Sequence, residues 1–348
     1  MKSIQIGKKT IGDKFPCYCI AEIGSLFKTF DEAKLLINNA ITIGLDAIKF
    51  QTYEAETISI KNNEFNMEVT GNISQYDFFK QFEPSKEIQK QIVHYANQKN
   101  ITIFSAPSHE QDLDLLEELD LPIYKIGSDL ACHTPLLKKI AKFKKPIILS
   151  TGMCTMDEVR NSVNSILDEG NDQIILLHCV SDYPAKPEES NLNVISEMKK
   201  EFNLPVGFSD HSVGTDISFA SIVMGANVIE RHFKNNLNTS YPDDIHALTK
   251  EQYKKLIDSV RVFEKSRGTG KKIPSLSEQK NLLKNRVSLI VMENLTAGTI
   301  LTSDVLDIRR PGSGISPQFY DNVLGKTINQ DIKKFTPLTF DMLKDFKM

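Results

Sequence analysis

A chain of 348 residues, 40 % apolar and 25 % charged, can bury one large core and a smaller one, and its formal charge of −3 comes without any run of like charges. Binding to nucleic acid or to an anionic membrane needs clustered Lys and Arg, so the composition argues against both and points to a small-molecule ligand. The stretch Met1-Lys-Ser-Ile-Gln-Ile-Gly-Lys-Lys9 lacks the apolar centre of a signal peptide, no later apolar run reaches bilayer-spanning length, and the five cysteines form no Cys-x-x-Cys pair; together these read as a cytoplasmic protein with reduced thiols.

In chain order, short apolar runs at 17–24, 45–53, 101–107, 122–128, 146–152, 173–180, 205–211 and 228–233 alternate with helix-period segments. That alternation is the sequence form of parallel strands joined by crossover helices, and eight units favour a closed (β/α)8 TIM barrel over 1–265. Continuous apolar runs suit strands buried on both faces. Amphipathic helices are expected over 31–43, 85–100 and 155–169, the second capped by Ser85 just after Pro84. The connection 54–84, with Phe65, Tyr76, Phe78 and Phe79, is too long for a plain strand-to-helix loop and reads as a lid or binding loop. Residues 266–284 have a linker's composition. From 285 to 348 the pattern changes to short β runs at 287–292, 299–301 and 306–309 with turns at Ala297-Gly298 and Pro311-Gly-Ser-Gly314, a small mostly-β domain.

Polar residues collect at the C-terminal end of each barrel run, where a TIM barrel carries its chemistry. They are Glu22; Lys49 with Gln51; Ser105; Lys125 with Ser128; Ser150; His178 with Ser181; Ser209, Asp210 and His211; and Glu230 with His232. Two lysines with several hydroxyls make a site for a phosphorylated or carboxylated anion. His211 and His232 stand at the ends of consecutive strands, and convergent imidazoles there suggest a metal site, to which Glu22 adds a carboxylate suited to Mn or a similar ion or holds a substrate hydroxyl instead. His94 and His133 read as helix-surface residues and His109 as a helix cap.

The motifs Ala21-Glu-Ile-Gly24, Lys49-Phe-Gln-Thr52, Lys125-Ile-Gly-Ser128, Ser150-Thr-Gly-Met153, His178-Cys-x-x-x-Tyr-Pro184, Phe208-Ser-Asp-His211 and Glu230-Arg-His-Phe233 resemble the sialic acid (N-acetylneuraminate) synthase family. Arg309-Arg-Pro-Gly-Ser-Gly-Ile315 resembles that family's C-terminal antifreeze-like (SAF) domain. The resemblance implies a transferase that condenses phosphoenolpyruvate with an N-acylated amino-sugar aldose, ManNAc-like or diacetamido-deoxyhexose, to a nonulosonic 2-keto acid, releasing phosphate. It implies that His211 and His232 bind a divalent metal, Mn first with Mg and Co as alternatives. Glu22 becomes a catalytic-site carboxylate beside them. Phosphoenolpyruvate falls to Lys49, Lys125, Ser128, Ser150, Ser181 and Ser209, and the sugar to Gln51, Tyr183, Asp244 and Arg310, with a one-residue ambiguity around Pro242-Asp-Asp-Ile245. It also implies a homodimer in which Arg310 of the SAF domain closes the partner's barrel.

The chain departs from the family's pattern in three places. Ser25-Leu-Phe-Lys-Thr-Phe30 replaces an Asn-His pair and a glycine, Ala106 replaces a threonine, and Leu130, beside Asp129, replaces a sugar-gripping glutamate. The threonine lost at Ala106 is a phosphoenolpyruvate-facing hydroxyl in relatives, yet the anion and metal sites survive better than the sugar site, so a different sugar of the legionaminic or pseudaminic kind is expected. The alternatives are a 3-deoxy-2-ketoacid synthase acting on a shorter or phosphorylated aldose and a non-catalytic sugar-binding descendant.

Overall fold

The computed structural model describes residues 2–65, 73–235 and 241–345. The chain divides into two compact units, Met1–Arg267 and Gly268–Met348.

The first unit opens with a hairpin of β1 (Ile4–Ile6) and β2 (Lys9–Ile11), turning at Gly7, whose φ of 54° suits a residue without Cβ. Eight parallel strands follow: β3 (Tyr18–Glu22), β4 (Ala47–Thr52), β5 (Thr102–Pro107), β6 (Tyr124–Ile126), β7 (Ile147–Ser150), β8 (Ile174–Cys179), β9 (Val206–Asp210) and β10 (Val228–His232). They pair in sequence order and close where β10 meets β3, so the expected TIM barrel is the observed one. Each strand lies within the apolar run expected for it. The closing register puts His232 opposite Glu22, and Glu22 opposite Lys49 on the next strand.

Two apolar layers hold the barrel. The outer one lies between strands and helices, with Ile48, Phe50, Leu149 and Leu176 packed against Leu36, Ile37, Ile92 and Leu256. The inner one fills the barrel's N-terminal half with Tyr18, Ile20, Ile148, Ile175 and Val228, closed from below by Ile4, Ile6 and Ile11 of the hairpin. Each of those buried isoleucines contributes roughly 1.5–3 kcal/mol. Residues 4–11, in which the sequence pattern marks no strand, are therefore the floor of the barrel.

Helices Phe30–Ile43, Lys86–Gln98 and Met156–Leu167 occupy the expected amphipathic segments, and Thr29, Ser85 and Thr155 cap them through their hydroxyls. The connection 54–84 holds the helices Ala55–Ile58 and Gln75–Phe82 and a bridge between Glu64 and Ser74; residues 66–72 of it lie outside the described residues. His133 is a helix N-cap, its Nδ1 accepting from the Leu136 amide at 3.2 Å, where the sequence suggested a surface position along the helix.

In the second unit β11 (Ser288–Val291) pairs antiparallel with β12 (Leu306–Arg309) over a core of Leu289, Val291, Leu301, Ile315 and Leu338. The expected run at 299–301 makes only an isolated bridge, Ile300 to Thr327. The stretch read as a linker belongs largely to this unit and forms two helical turns, Leu276–Gln279 and Leu282–Asn285, the first set by a Ser275/Glu278 capping box.

Candidate active site

The parallel register brings the strand-end side chains to one rim, where they surround a cavity of about 480 Å³. Along one wall runs a buried row of charges. Lys49 Nζ lies 2.7 Å from Glu22 Oε2 and 3.3 Å from Glu230 Oε1, and Lys125 Nζ lies 3.4 Å from that same Glu230 oxygen. Ser209 donates to it at 3.0 Å, while Glu22 accepts from the Gly24 amide at 2.7 Å and from Gln51 at 3.4 Å. Gly24 is required here because a Cβ would collide with the Glu22 carboxylate and with Gln51.

Burial lowers the Lys49 ammonium to about 8, since desolvation and the neighbouring Lys125 outweigh the help of Glu230. Burial pushes the Glu230 carboxyl up, but Lys125, Lys49 and the Ser209 hydroxyl more than offset it and hold this group below the usual carboxylate range. The row thus sets acidic and basic side chains against one another in a buried part of the wall. Ser150 adds a buried hydroxyl with no hydrogen-bond partner among the described residues, a donor free for an incoming anion. Ser128 accepts from the Gly152 amide at 3.0 Å and lies 3.0 Å from Cys179 Sγ, so Cys179 is a wall residue of the cavity.

Beside this row the cavity is lined by imidazole and ring. His211 donates its Nδ1–H to the Val180 carbonyl at 2.7 Å, leaving Nε2 without a proton and turned inward, 3.5 Å from Ser209 Oγ. Its ring stands 5.6 Å from that of His232, and Tyr183 packs against His211 at 4.3 Å. Burial and the neighbouring His232 lower His211 to about 4, so it is neutral at pH 7 and able to act as a ligand. His178, by contrast, bonds the Ser190 carbonyl at 2.8 Å and packs on Phe208, a structural role. Asp210 is structural as well, paired with the fully buried Arg231 at 2.5 Å and accepting from Ser212 and Ser218.

Of the residues expected at the site, Lys49, Gln51, Lys125, Ser128, Ser150, Ser181, Tyr183, Ser209, His211 and His232 line the cavity, and Glu22 stands directly behind Lys49. Two do not. Asp244 turns back to accept from the Tyr241 amide at 2.9 Å, capping its own short turn, and Asp243 is the one that faces the cavity. Arg310 belongs to the second unit and is exposed there.

The departures also resolve. Ser25 and Ala106 do line the cavity, whereas Leu130 packs partly buried against the barrel core and Asp129 supplies a carboxylate to the wall in its place. The helix in connection 54–84 contributes Phe78 and Phe79, which with Phe65 form an edge-packed aromatic wall.

Sequence reasoning missed His246 and passed over Asp243. His246 is 1 % exposed, and its ring centroid is 4.7 Å from that of His232. No strand end marks it. The signal available was the Pro242-Asp-Asp-Ile-His246 cluster one loop beyond His232.

Residues 36–272 match the NeuB family and residues 286–344 the SAF domain. The chain is 37 % identical over 308 residues to the N,N'-diacetyllegionaminic acid synthase of Campylobacter jejuni subsp. jejuni serotype O:2, covering 87 % of this chain and 92 % of that protein. It is 33 % identical over 347 residues to the N,N'-diacetyllegionaminic acid synthase of Legionella pneumophila subsp. pneumophila, covering 97 % of this chain and 98 % of that protein. The solved N-acetylneuraminic acid (sialic acid) synthetase of Leptospira borgpetersenii serovar Hardjo-bovis, in complex with citrate, matches with a TM-score of 0.73 at 30 % identity, covering 80 % of this chain and 95 % of that one.

Proposed function

Because the chain belongs to the NeuB family, with a SAF domain at its C-terminal end, we propose that it condenses phosphoenolpyruvate with an N-acylated amino-sugar aldose to a nonulosonic 2-keto acid, releasing phosphate. The observation that carries this reading is the division of one cavity into a cationic wall, Lys49 and Lys125, and an imidazole wall, His211 and His232. An anionic enol phosphate fits the first and an aldehyde oxygen the second.

Lys49 and Lys125 bind the phosphate and carboxylate of phosphoenolpyruvate as point charges, and Ser150 and Ser209 orient its oxygens. Glu22 and Glu230 hold the two ammonium groups in place, so little reorganisation accompanies binding. Phosphoenolpyruvate C3 bonds to the aldehyde carbon, water adds its oxygen at C2, and the C2–O bond to phosphate breaks as the ketone forms. The aldehyde oxygen becomes a hydroxyl by taking up a proton, which balances the one lost by the water whose oxygen adds at C2. Tyr183, Gln51 and Asp243 line the space left for the sugar, and Phe65, Phe78 and Phe79 give it an apolar side suited to acyl or deoxy groups.

The residues present fit a divalent cation. His232 Nδ1 is buried without a hydrogen-bond partner among the described residues, and His211 Nε2 is free of a proton. Held by His211 and His232, Mn, with Mg or Co as alternatives, would supply Lewis-acid polarisation of the aldehyde oxygen. The same reading makes the protein a cytoplasmic homodimer, with the exposed Arg310 reaching the partner's barrel. Among the described residues no helix is long and apolar enough to cross a membrane.

The test is incubation of the pure protein with phosphoenolpyruvate, Mn and a panel of N-acylated amino sugars, the product read by mass. A nonulosonic acid from at least one sugar, with stoichiometric phosphate, is expected. Phosphoenolpyruvate bound but unconsumed with every sugar would instead make the chain a binding protein.

A further inference from the structure

The loop after β10 carries donor groups that the two-histidine metal reading above does not use. Asp243 Oδ2 lies 3.2 Å from His232 Nδ1, and Asp243 Oδ1 lies 3.7 Å from His246 Nε2. The donor atoms of His232, Asp243 and His246 all lie within 4.8 Å of one another.

Three observations separate this group from an ordinary hydrogen-bonded cluster. His246 is 1 % exposed, yet neither of its ring nitrogens has a hydrogen-bond partner among the described residues. His232 Nδ1 is buried and likewise makes no hydrogen bond, although the carboxylate oxygen is close enough for one. The 3.2 Å between Asp243 and His232 is the spacing of two donors on one ion, since donors about 2.1 Å from an ion lie roughly 3.0 to 3.4 Å apart, and His246, 3.7 Å from the other carboxylate oxygen, stands just outside that spacing. Buried ring nitrogens with no partner are rare in native proteins because their desolvation goes uncompensated.

We propose that His232, Asp243 and His246 form a two-histidine, one-carboxylate seat for a divalent transition-metal ion, held by the loop after β10 as well as by the strand end. It deepens the metal-using reading above and rests on it. That reading takes its ligands from two strand ends; here Asp243 and His246 join as direct ligands. His211, with its ring 5.6 Å from His232 and 6.0 Å from His246, borders the same space and can provide a further nitrogen. Imidazole with one carboxylate suits Mn, Fe, Co or Zn and is a poor match for Mg, which prefers oxygen ligands. Seating the ion also fixes the turn Pro242–Ile245, and with it the cavity wall at Asp243.

The test titrates metal-free full-length protein with Mn, in the absence of phosphoenolpyruvate and sugar, and follows free Mn by electron paramagnetic resonance. Asp243→Asn and His246→Gln are each expected to weaken Mn binding on the order of 10- to 100-fold, at least as much as loss of an orienting partner does. Unchanged affinity in both, with binding lost in His232→Gln, overturns the proposal. Should His246→Gln fail to fold, Mn-loaded His211→Gln decides by pulsed resonance. Two coupled imidazoles, from His232 and His246, support the seat; one imidazole, or no bound Mn, overturns it. No step of this test requires turnover, so a protein that binds Mn through these residues but condenses no sugar would sink the proposed activity and leave the seat standing.

Discussion

On one wall of the cavity Lys49, Lys125, Glu22, Glu230 and Ser209 bind one another into a closed row; on the other, His232, Asp243 and His246 face each other at 3.2 and 3.7 Å without completing a hydrogen bond. The first wall is finished by the protein alone and offers its charges pre-oriented, which favours an anion that binds without rearrangement. The second is a set of donor atoms left unpaired among the described residues, which the proposed cation would satisfy. The difference follows from the elements involved. Adjacent parallel strands fix Glu22, Lys49 and Glu230 by register, whereas Asp243 and His246 come from a loop whose geometry only the folded barrel sets.

The largest effect expected is on the unfinished wall. His232→Ala should lower kcat on the order of 10³-fold, measured as phosphate release, with the circular dichroism spectrum unchanged. A rate close to the parent's would remove His232 from the metal-binding set and dissolve the contrast between the walls.

Lys125→Met tests the finished wall. Removing Lys125 leaves the buried Glu230 with Lys49 and Ser209 alone, so folding stability should fall by about 1–3 kcal/mol in urea titration while Mn binding persists. Loss of Mn binding with unchanged stability would show that the walls are not separable in this way.

A third test is pH. Lys49 is charged in the folded protein only below about 8, so kcat/KM for phosphoenolpyruvate should decline as pH rises through 8, approaching about tenfold per pH unit. The same group acts oppositely on stability. Between about 8 and the ordinary 10.5 the unfolded chain holds more protons on Lys49 than the folded chain does, so its contribution to stability rises with pH across that window. Lys49→Arg, which stays charged, should remove the alkaline decline; a decline that persists would assign it to another group.

The smallest effect separates two neighbours. Asp244→Asn should cost no more than about 0.5–2 kcal/mol, as loss of a capping group does, and leave KM for the sugar within twofold. Asp243→Asn should alter metal affinity and sugar KM together. Equal consequences for the two would mean that the turn Pro242–Ile245 moves as a unit, erasing the distinction between cap and cavity residue.

Much of the barrel was legible because its strands are buried on both faces, so their continuous apolar runs mark position and their C-terminal polar residues mark the rim. Lys49, Lys125, Ser150, His211 and His232 could be read this way, each sitting at the end of such a run. The hairpin Ile4–Ile11 could not: three-residue strands with a Gly-Lys turn carry too little pattern to show that Ile4, Ile6 and Ile11 close the barrel floor. The choice between Asp243 and Asp244 was equally hidden, because adjacent residues in a tight turn point to opposite sides and the sequence does not say which side faces inward.

The sequence by itself determined the number and order of the barrel strands, the charge of the rim and the kinship of both segments, since these rest on periodicity and local motif. Tertiary structure alone decided that Glu230 is the shared partner of both lysines, that Asp129 stands where Leu130 does not, and that His246 is buried beside His232. Those facts depend on distances between groups far apart in the chain or around a turn, and closure of the barrel is what sets them.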